Sequence, residues 1–200
     1  MKKTNNLVVL FLCSAALVLS SCVSKKTYTD QVQATNDAVE TADAYSILNQ
    51  ELSAALSDDD AQIENDQIQI SDLKDQLKVT LVNSIVFSEG GYVVNSTGKA
   101  TLAKIAPSLA KLTDQQIVVQ GFTDNESIGP KLAKKYATNL ELSSARADNV
   151  VNYLISKGVP SSIISAQGFG EQRAVAPNDT EANKAKNRRV EIIVKAKSQK

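Results

Sequence analysis

The chain has 200 residues, 42% hydrophobic and 22% charged, a composition that fits a globular protein with one real core and excludes disordered and collagen-like chains. It holds no His, no Trp and two Cys, with no Asp, Glu or Cys cluster at ligand spacing, which sets aside zinc, haem, Cys–His and Ser–His chemistry. No metal, no cofactor and no enzymatic activity are therefore expected. The formal charge of zero covers a polarised chain: residues 30–75 carry 12 Asp and Glu against Lys74 alone, and residues 76–200 carry 10 against 17 Lys and Arg.

At the amino terminus Lys2 and Lys3 precede an uncharged apolar run, Leu7 to Leu19, closed by small residues. This is the layout of a secretory signal over residues 1–21. The run is shorter than the roughly 20 apolar residues a bilayer core demands, so a permanent single-pass anchor is the lesser alternative. Leu19-Ser20-Ser21-Cys22 resembles the lipobox of bacterial lipoproteins, in which the chain is cut before the cysteine and lipid is added to it. That resemblance implies a diacylglycerol on the Cys22 thiol and an amide-linked acyl chain such as palmitate. More than one hydrocarbon chain makes a stable membrane anchor. Cys13 falls in the discarded segment, so no disulfide is expected in the mature chain. Val23 follows Cys22, where an Asp would resemble an inner-membrane retention signal; the expectation is an outer-membrane anchor with the rest of the chain facing the periplasm.

Residues 23–77 contain no Gly and no Pro, and their Ala, Gln, Asp, Glu, Leu and Ile content predicts a long acidic helical stalk over residues 22–78. Wholly helical, it would reach about 80 Å at 1.5 Å per residue. Leu48, Leu52, Leu56, Ile63, Ile70 and Leu77 form a partial stripe that suggests a weak coiled coil and leaves the stalk open to homo-oligomerisation. Ser57 ahead of Asp58-Asp59-Asp60 reads as the N-cap of a second helix in preference to a cation site.

Beyond residue 78 the pattern changes to a domain of its own, residues 79–200. A strand is predicted at 79–87, ended by Gly90-Gly91, and a helix behind Ser96 and Thr97 carries Leu102, Ile105, Leu109 and Leu112, with a kink expected at Pro107. A strand at 116–123, a core helix at 142–157 stopped by Gly158 and Pro160, a strand at 163–168, a short helix at 180–187 and a strand at 190–195 follow. The alternation is α/β; pattern alone fits both a doubly wound parallel sheet and a two-layer sandwich with helices on one face.

Four stretches of this domain, Gly121-Phe122-Thr123-Asp124, Asn139 to Ala147 (NLELSSARA), Gly168-Phe169-Gly170-Glu171 and Asn187-Arg188-Arg189-Val190-Glu191, together resemble the OmpA-like peptidoglycan-binding domain. The segment Glu126 to Thr138 is longer than in porins of the OmpA type and resembles the MotB branch. The resemblance implies an α+β two-layer sandwich that grips the diaminopimelate side chain of peptidoglycan stem peptides without covalent bonds. A carbon bearing both an ammonium and a carboxylate calls for an anionic acceptor beside a planar cationic donor. The resemblance assigns Asp124 to the ammonium and Arg146 to the carboxylate, with Asn139 and Arg188 as further polar contacts. Each also has a plainer reading: Asp124 as a turn residue, Arg146 as a surface partner of Glu141 or Asp148, Asn139 as an N-cap. If the strand has begun there, Arg188 and Arg189 point to opposite faces, so at most one of them faces the pocket. Gly168 and Gly170 read as backbone turns.

The expected whole is a lipid-anchored protein that tethers the outer membrane to the cell wall, its partners being peptidoglycan and, through Cys22, the membrane. A stator-like motor component and a wall hydrolase using two carboxylates are the alternatives; Leu7 to Ser21 bears no charge for the first, and no paired-carboxylate motif marks the second. Nucleic acid is not an expected partner, because the basic run Lys184 to Arg189 is short and has no interleaved aromatics.

Overall fold

The computed structural model of the chain describes residues 25–57, 68–73 and 76–197, so the signal segment, Cys22 and the Asp58–Asp60 run lie outside the described residues. The chain divides into two compact units, Met1–Glu40 and Thr41–Lys200. The described part of the first is the beginning of helix α1 (Lys25–Ser57), 33 residues without Gly or Pro.

In the second unit the end of α1 is followed by β1 (Ile68–Leu73), β2 (Gln76–Val82), α2 (Asn83–Val86), α3 (Ser96–Ala110), β3 (Gln115–Gly121), α4 (Pro130–Ala133), α5 (Asn139–Ser156), β4 (Ile164–Gly168), α6 (Glu181–Asn187) and β5 (Arg189–Ala196). The five strands form one mixed sheet in the order β1-β2-β5-β3-β4; only β3 and β4 run parallel. The last strand therefore lies at the centre of the sheet. Strand register lines up three rows of inward residues: Ile68, Leu81, Val190, Gly121, Gly168; then Ile70, Val79, Ile192, Val119, Ala166; then Leu77, Val194, Ile117, Ile164. Leu102, Ile105 and Leu109 of α3, Ala147, Val150 and Leu154 of α5, and Tyr45, Leu48 and Leu52 of α1 join these rows in one core. This is the two-layer α/β arrangement of a sheet with helices, as expected from residue 79 onward.

Some expectations are corrected. Residues 68–73 and 76–78 are strand, not the end of a helical stalk over residues 22–78: Ile68 and Ile70 alternate with Gln69 and Ser71, a period-two pattern that pairs with β2 and outweighs the absence of Gly and Pro. The core likewise begins before residue 79, since Leu48, Leu52 and Leu77 belong to it. The strand predicted at 79–87 stops at Val82; α2 intervenes, and Phe87 only bridges to Val94. Ser57 is the last residue of α1, its hydroxyl donating to the Ala54 carbonyl at 3.0 Å; residues 58–67, where a second helix is expected, lie outside the described residues. Pro107 lies within α3 on its exposed side, and the helix runs through it from an N-cap at Asn95, whose side chain accepts from the Gly98 amide at 2.7 Å.

Candidate functional site

The inward row that ends in Gly121 and Gly168 lets α5 approach the sheet closely. A Cβ on Gly121 would stand 2.2 Å from the Ser143 carbonyl oxygen, and one on Gly168 would stand 2.2 Å from Ser144 Oγ. The Gly170 amide donates to Ser143 Oγ at 2.8 Å, the Thr123 amide to the Gly170 carbonyl at 2.9 Å and the Phe122 amide to the Arg189 carbonyl at 3.0 Å. Residues 122–124 are thus pinned between the start of β5 and the turn after β4, just beyond the end of β3. Thr138 caps α5 through its side chain, which accepts from the Glu141 amide at 3.2 Å, while the Glu141 carboxylate accepts from the Ala137 amide at 2.7 Å. With its start fixed in this way, α5 carries Arg146 to the same end of the sheet.

Asp124, Arg146, Asn139 and Arg188 all line a single cavity of about 790 Å³, with Asn83, Phe87, Thr123 and Glu181 among its other walls. Asp124 is 6% exposed; its Oδ1 accepts from the Glu126 amide at 3.2 Å and its Oδ2 from Arg188 Nη1 at 2.6 Å. Arg188 Nη2 donates to Glu181 Oε1, so the guanidinium is forked between two carboxylates. Burial works against that guanidinium's charge, yet the hydrogen bonds it donates to Asp124 and Glu181 outweigh it and hold Arg188 above its ordinary value.

Arg146 is held differently. It is 5% exposed, its Nε donates to the Gly91 carbonyl at 3.0 Å, and its guanidinium carbon stands 5.6 Å from the centre of the Phe87 ring. Among the described residues no carboxylate comes within ion-pair distance of it, neither Glu141 nor Asp148 as the surface reading had it. Burial pushes it down to about 10; the nearby Asp124 charge opposes that shift and the Arg188 charge adds to it. It remains a cation at neutral pH. The ion pair within the cavity is thus Asp124 with Arg188, and Arg146 faces the cavity with its charge uncompensated at short range.

Asn139 is the first residue of α5 and not its cap. Its Nδ2 donates to the Asp124 carbonyl at 3.4 Å, the Glu126 carbonyl at 2.9 Å and Glu171 Oε2 at 3.3 Å, which ties down the loop that presents Asp124. Lys184 pins the same loop through Glu126 at 2.6 Å. Arg189 points away from the cavity, to Glu191 at 2.7 Å and the face of Phe122 at 3.8 Å, whereas Arg188, the residue between the end of α6 and the start of β5, lines it. Sequence reasoning missed three members of the site. Asn83 Oδ1 and Thr123 Oγ1 are buried in the cavity wall without a hydrogen-bond partner, and Glu181 holds Arg188. Thr123 was signalled by its place beside Asp124; Asn83 was hidden in a stretch read as strand.

The family description that matches the sequence is that of the OmpA family, over residues 86–188. Among curated proteins the chain is 32% identical to the probable lipoprotein YiaD of Escherichia coli over 60% of this chain and 52% of that protein. It is 31% identical to the peptidoglycan-binding protein ArfA of Mycobacterium tuberculosis over 62% of this chain and 36% of that one. The chain spans between about a third and about a half of the length of the curated relatives it matches. Among solved structures a MotB-like protein from Desulfovibrio vulgaris shares the fold, with a TM-score of 0.70 over 81% of this chain and 98% of that one at 21% identity.

Proposed function

The chain belongs to the OmpA family, and from that premise we propose that it is an outer-membrane lipoprotein that binds peptidoglycan non-covalently and tethers the membrane to the cell wall. The observation that carries the reading is one cavity holding a buried guanidinium with no carboxylate at hand, a buried carboxylate, and two buried oxygens without partners. A carbon bearing an ammonium and a carboxylate supplies the anion that Arg146 lacks and the donors that the two oxygens lack. Arg146 takes the carboxylate in a charge-assisted pair, and Asp124 takes the ammonium, whose remaining protons go to Thr123 Oγ1 and Asn83 Oδ1. Asn139 keeps the Asp124 loop in place. Diaminopimelate in a stem peptide presents that carbon at the end of a side chain, within reach of a pocket. The likeness to ArfA, a peptidoglycan-binding protein, supports the ligand, and that to YiaD, a probable lipoprotein, supports the anchor at Cys22.

Nothing in the proposed role is catalytic: the ligand is held by ion pairs and hydrogen bonds and leaves unchanged. The test is sedimentation of residues 22–200, as Cys22→Ser, with insoluble peptidoglycan in the presence and absence of free diaminopimelate. Co-sedimentation that the free amino acid competes away is the expected result, and failure to sediment, or release of soluble wall fragments, counts against it. A motor-associated component is the second reading, in keeping with the MotB-like fold. Such a component needs a membrane helix carrying a functional carboxylate, whereas Leu7 to Ser21 has no charged residue. Among the described residues no helix is long and apolar enough to cross a membrane. Mass spectrometry of the mature amino terminus separates the two: acyl chains on Cys22 support the tether, and a chain that retains residues 1–21 with an unmodified Cys22 supports the motor component.

A further inference from the structure

The ligand-free cavity poses a problem for an incoming ammonium, because the carboxylate meant to receive it is already neutralised. Asp124 Oδ2 is paired with Arg188 Nη1 at 2.6 Å, and Oδ1 is engaged by the Glu126 amide. Arg188 therefore occupies the position of the ligand's positive charge. Its second fork, Nη2, is held by Glu181, a residue on α6 that lines the same cavity and is itself largely exposed. An ammonium can reach Asp124 only if Arg188 yields, and a guanidinium that yields inside a partly buried cavity needs another anion to go to.

We infer that Glu181 is a positioning residue that retains Arg188 when the ligand's ammonium takes over Asp124. The exchange conserves charge pairing at every stage. Before binding, Arg188 is shared between Asp124 and Glu181. After binding, Arg188 stays with Glu181, the ammonium lies on Asp124, and the ligand carboxylate lies on Arg146. The neighbouring charges support this division: Lys184 is committed to Glu126, so neither competes for Arg188, and Arg146 has its Nε fixed on Gly91 and cannot follow. Without Glu181, Arg188 has one anion left, Asp124, and holds it against the ligand. The inference rests on the proposed reading of the cavity, and it adds a selectivity to it: ligands with an ammonium depend on Glu181, and ligands with carboxylates alone do not.

The experiment compares diaminopimelate with pimelate, the same dicarboxylate without its ammonium groups, by calorimetric titration of residues 22–200 bearing Cys22→Ser, with thermal melts in parallel. Glu181→Gln should weaken diaminopimelate about tenfold, the scale of one charge-assisted hydrogen bond, and leave pimelate as tight as before or tighter. Glu181→Asp should restore part of the loss. In an Arg188→Ala background Glu181→Gln should do nothing further, because there is no guanidinium left to hold. A Glu181→Gln chain that binds diaminopimelate like the wild type, that loses both ligands equally, or that shows the same loss without Arg188 overturns the inference while leaving the proposed pocket intact. A wild-type chain that binds no diaminopimelate overturns the proposed function and this inference with it.

Discussion

Burial takes the Arg146 guanidinium from its ordinary value down to about 10, and at about 1.4 kcal/mol for each tenfold change in proton affinity that is on the order of 3 kcal/mol at most. A base whose value is lower in the fold than in the unfolded chain is destabilising while charged. The penalty is fully present below about 10 and is relieved as pH rises from there towards the ordinary arginine value. Replacing a buried charge that lacks a close counter-ion with an apolar group of similar length removes the penalty. Arg146→Met is accordingly expected to raise the melting temperature at pH 7 by a few degrees while cutting wall sedimentation at least tenfold. A variant that melts lower and still sediments would place Arg146 among structural residues. Asp124→Ala has the opposite balance: it leaves Arg188 with Glu181 alone, and both stability and sedimentation should fall. At this scale the sequence motifs named Asp124 and Arg146 correctly as neighbours of one cavity. They could not reveal that Arg188 holds Asp124 in the meantime, because a side-chain pairing across 64 residues leaves no local trace. Asn139, which the sequence offered as the cap of α5, gives way to Thr138: the hydrogen bonds to Glu141 and to the Asp124 loop separate these two neighbouring polar residues.

At the scale of elements, the site depends on how closely α5 lies against β3 and β4. Gly121 and Gly168 make that approach feasible, and Gly121 faces main chain, which cannot swing aside. A methyl group at 2.2 Å from the Ser143 carbonyl forces helix and strand apart. Gly121→Ala should cost at least about 2 kcal/mol, the usual scale of overpacking, and it should also reduce sedimentation, because the same shift moves Arg146 relative to Asp124. Gly129→Ala is the matched control: nothing lies within 4 Å of its added Cβ, and its φ is −60°, so denaturant titration should find it within about 0.5 kcal/mol of wild type. The glycines were legible as turns but not as contact points, since close approach depends on which helix crosses which strand. The helices at 96–110 and 139–156 and the strands at 115–121, 164–168 and 189–196 were legible because each has a clean period of 3.6 or 2. Strand β1 was not, because six residues of Ile, Gln, Ser, Asp and Leu suit an acidic helix nearly as well as an edge strand, and the antiparallel partner that decides the matter comes from β2.

For the molecule as a whole, that misreading changes where the folded unit begins. A boundary at residue 79 cuts β2 in the middle, discards its edge partner β1, and removes Tyr45, Leu48, Leu52 and Leu77 from the core, of which Leu52 and Leu77 are fully buried. Burying a Leu side chain contributes roughly 1.5–3 kcal/mol, so losing three of them approaches the roughly 5–15 kcal/mol by which whole domains are stable. A fragment of residues 41–200 should therefore melt cooperatively and sediment with peptidoglycan like the longer chain, since every wall of the cavity lies at or beyond Val82. A fragment of residues 79–200 should lose its cooperative melt, bind hydrophobic dye and sediment poorly, because the exposed side of β2 and the uncovered ends of α3 would face water. Circular dichroism melts of the two fragments side by side check this. If residues 79–200 melt as sharply as residues 41–200, the α1 and β1 contacts are an accessory to the fold, and the boundary at residue 79 read from the sequence pattern is the correct one.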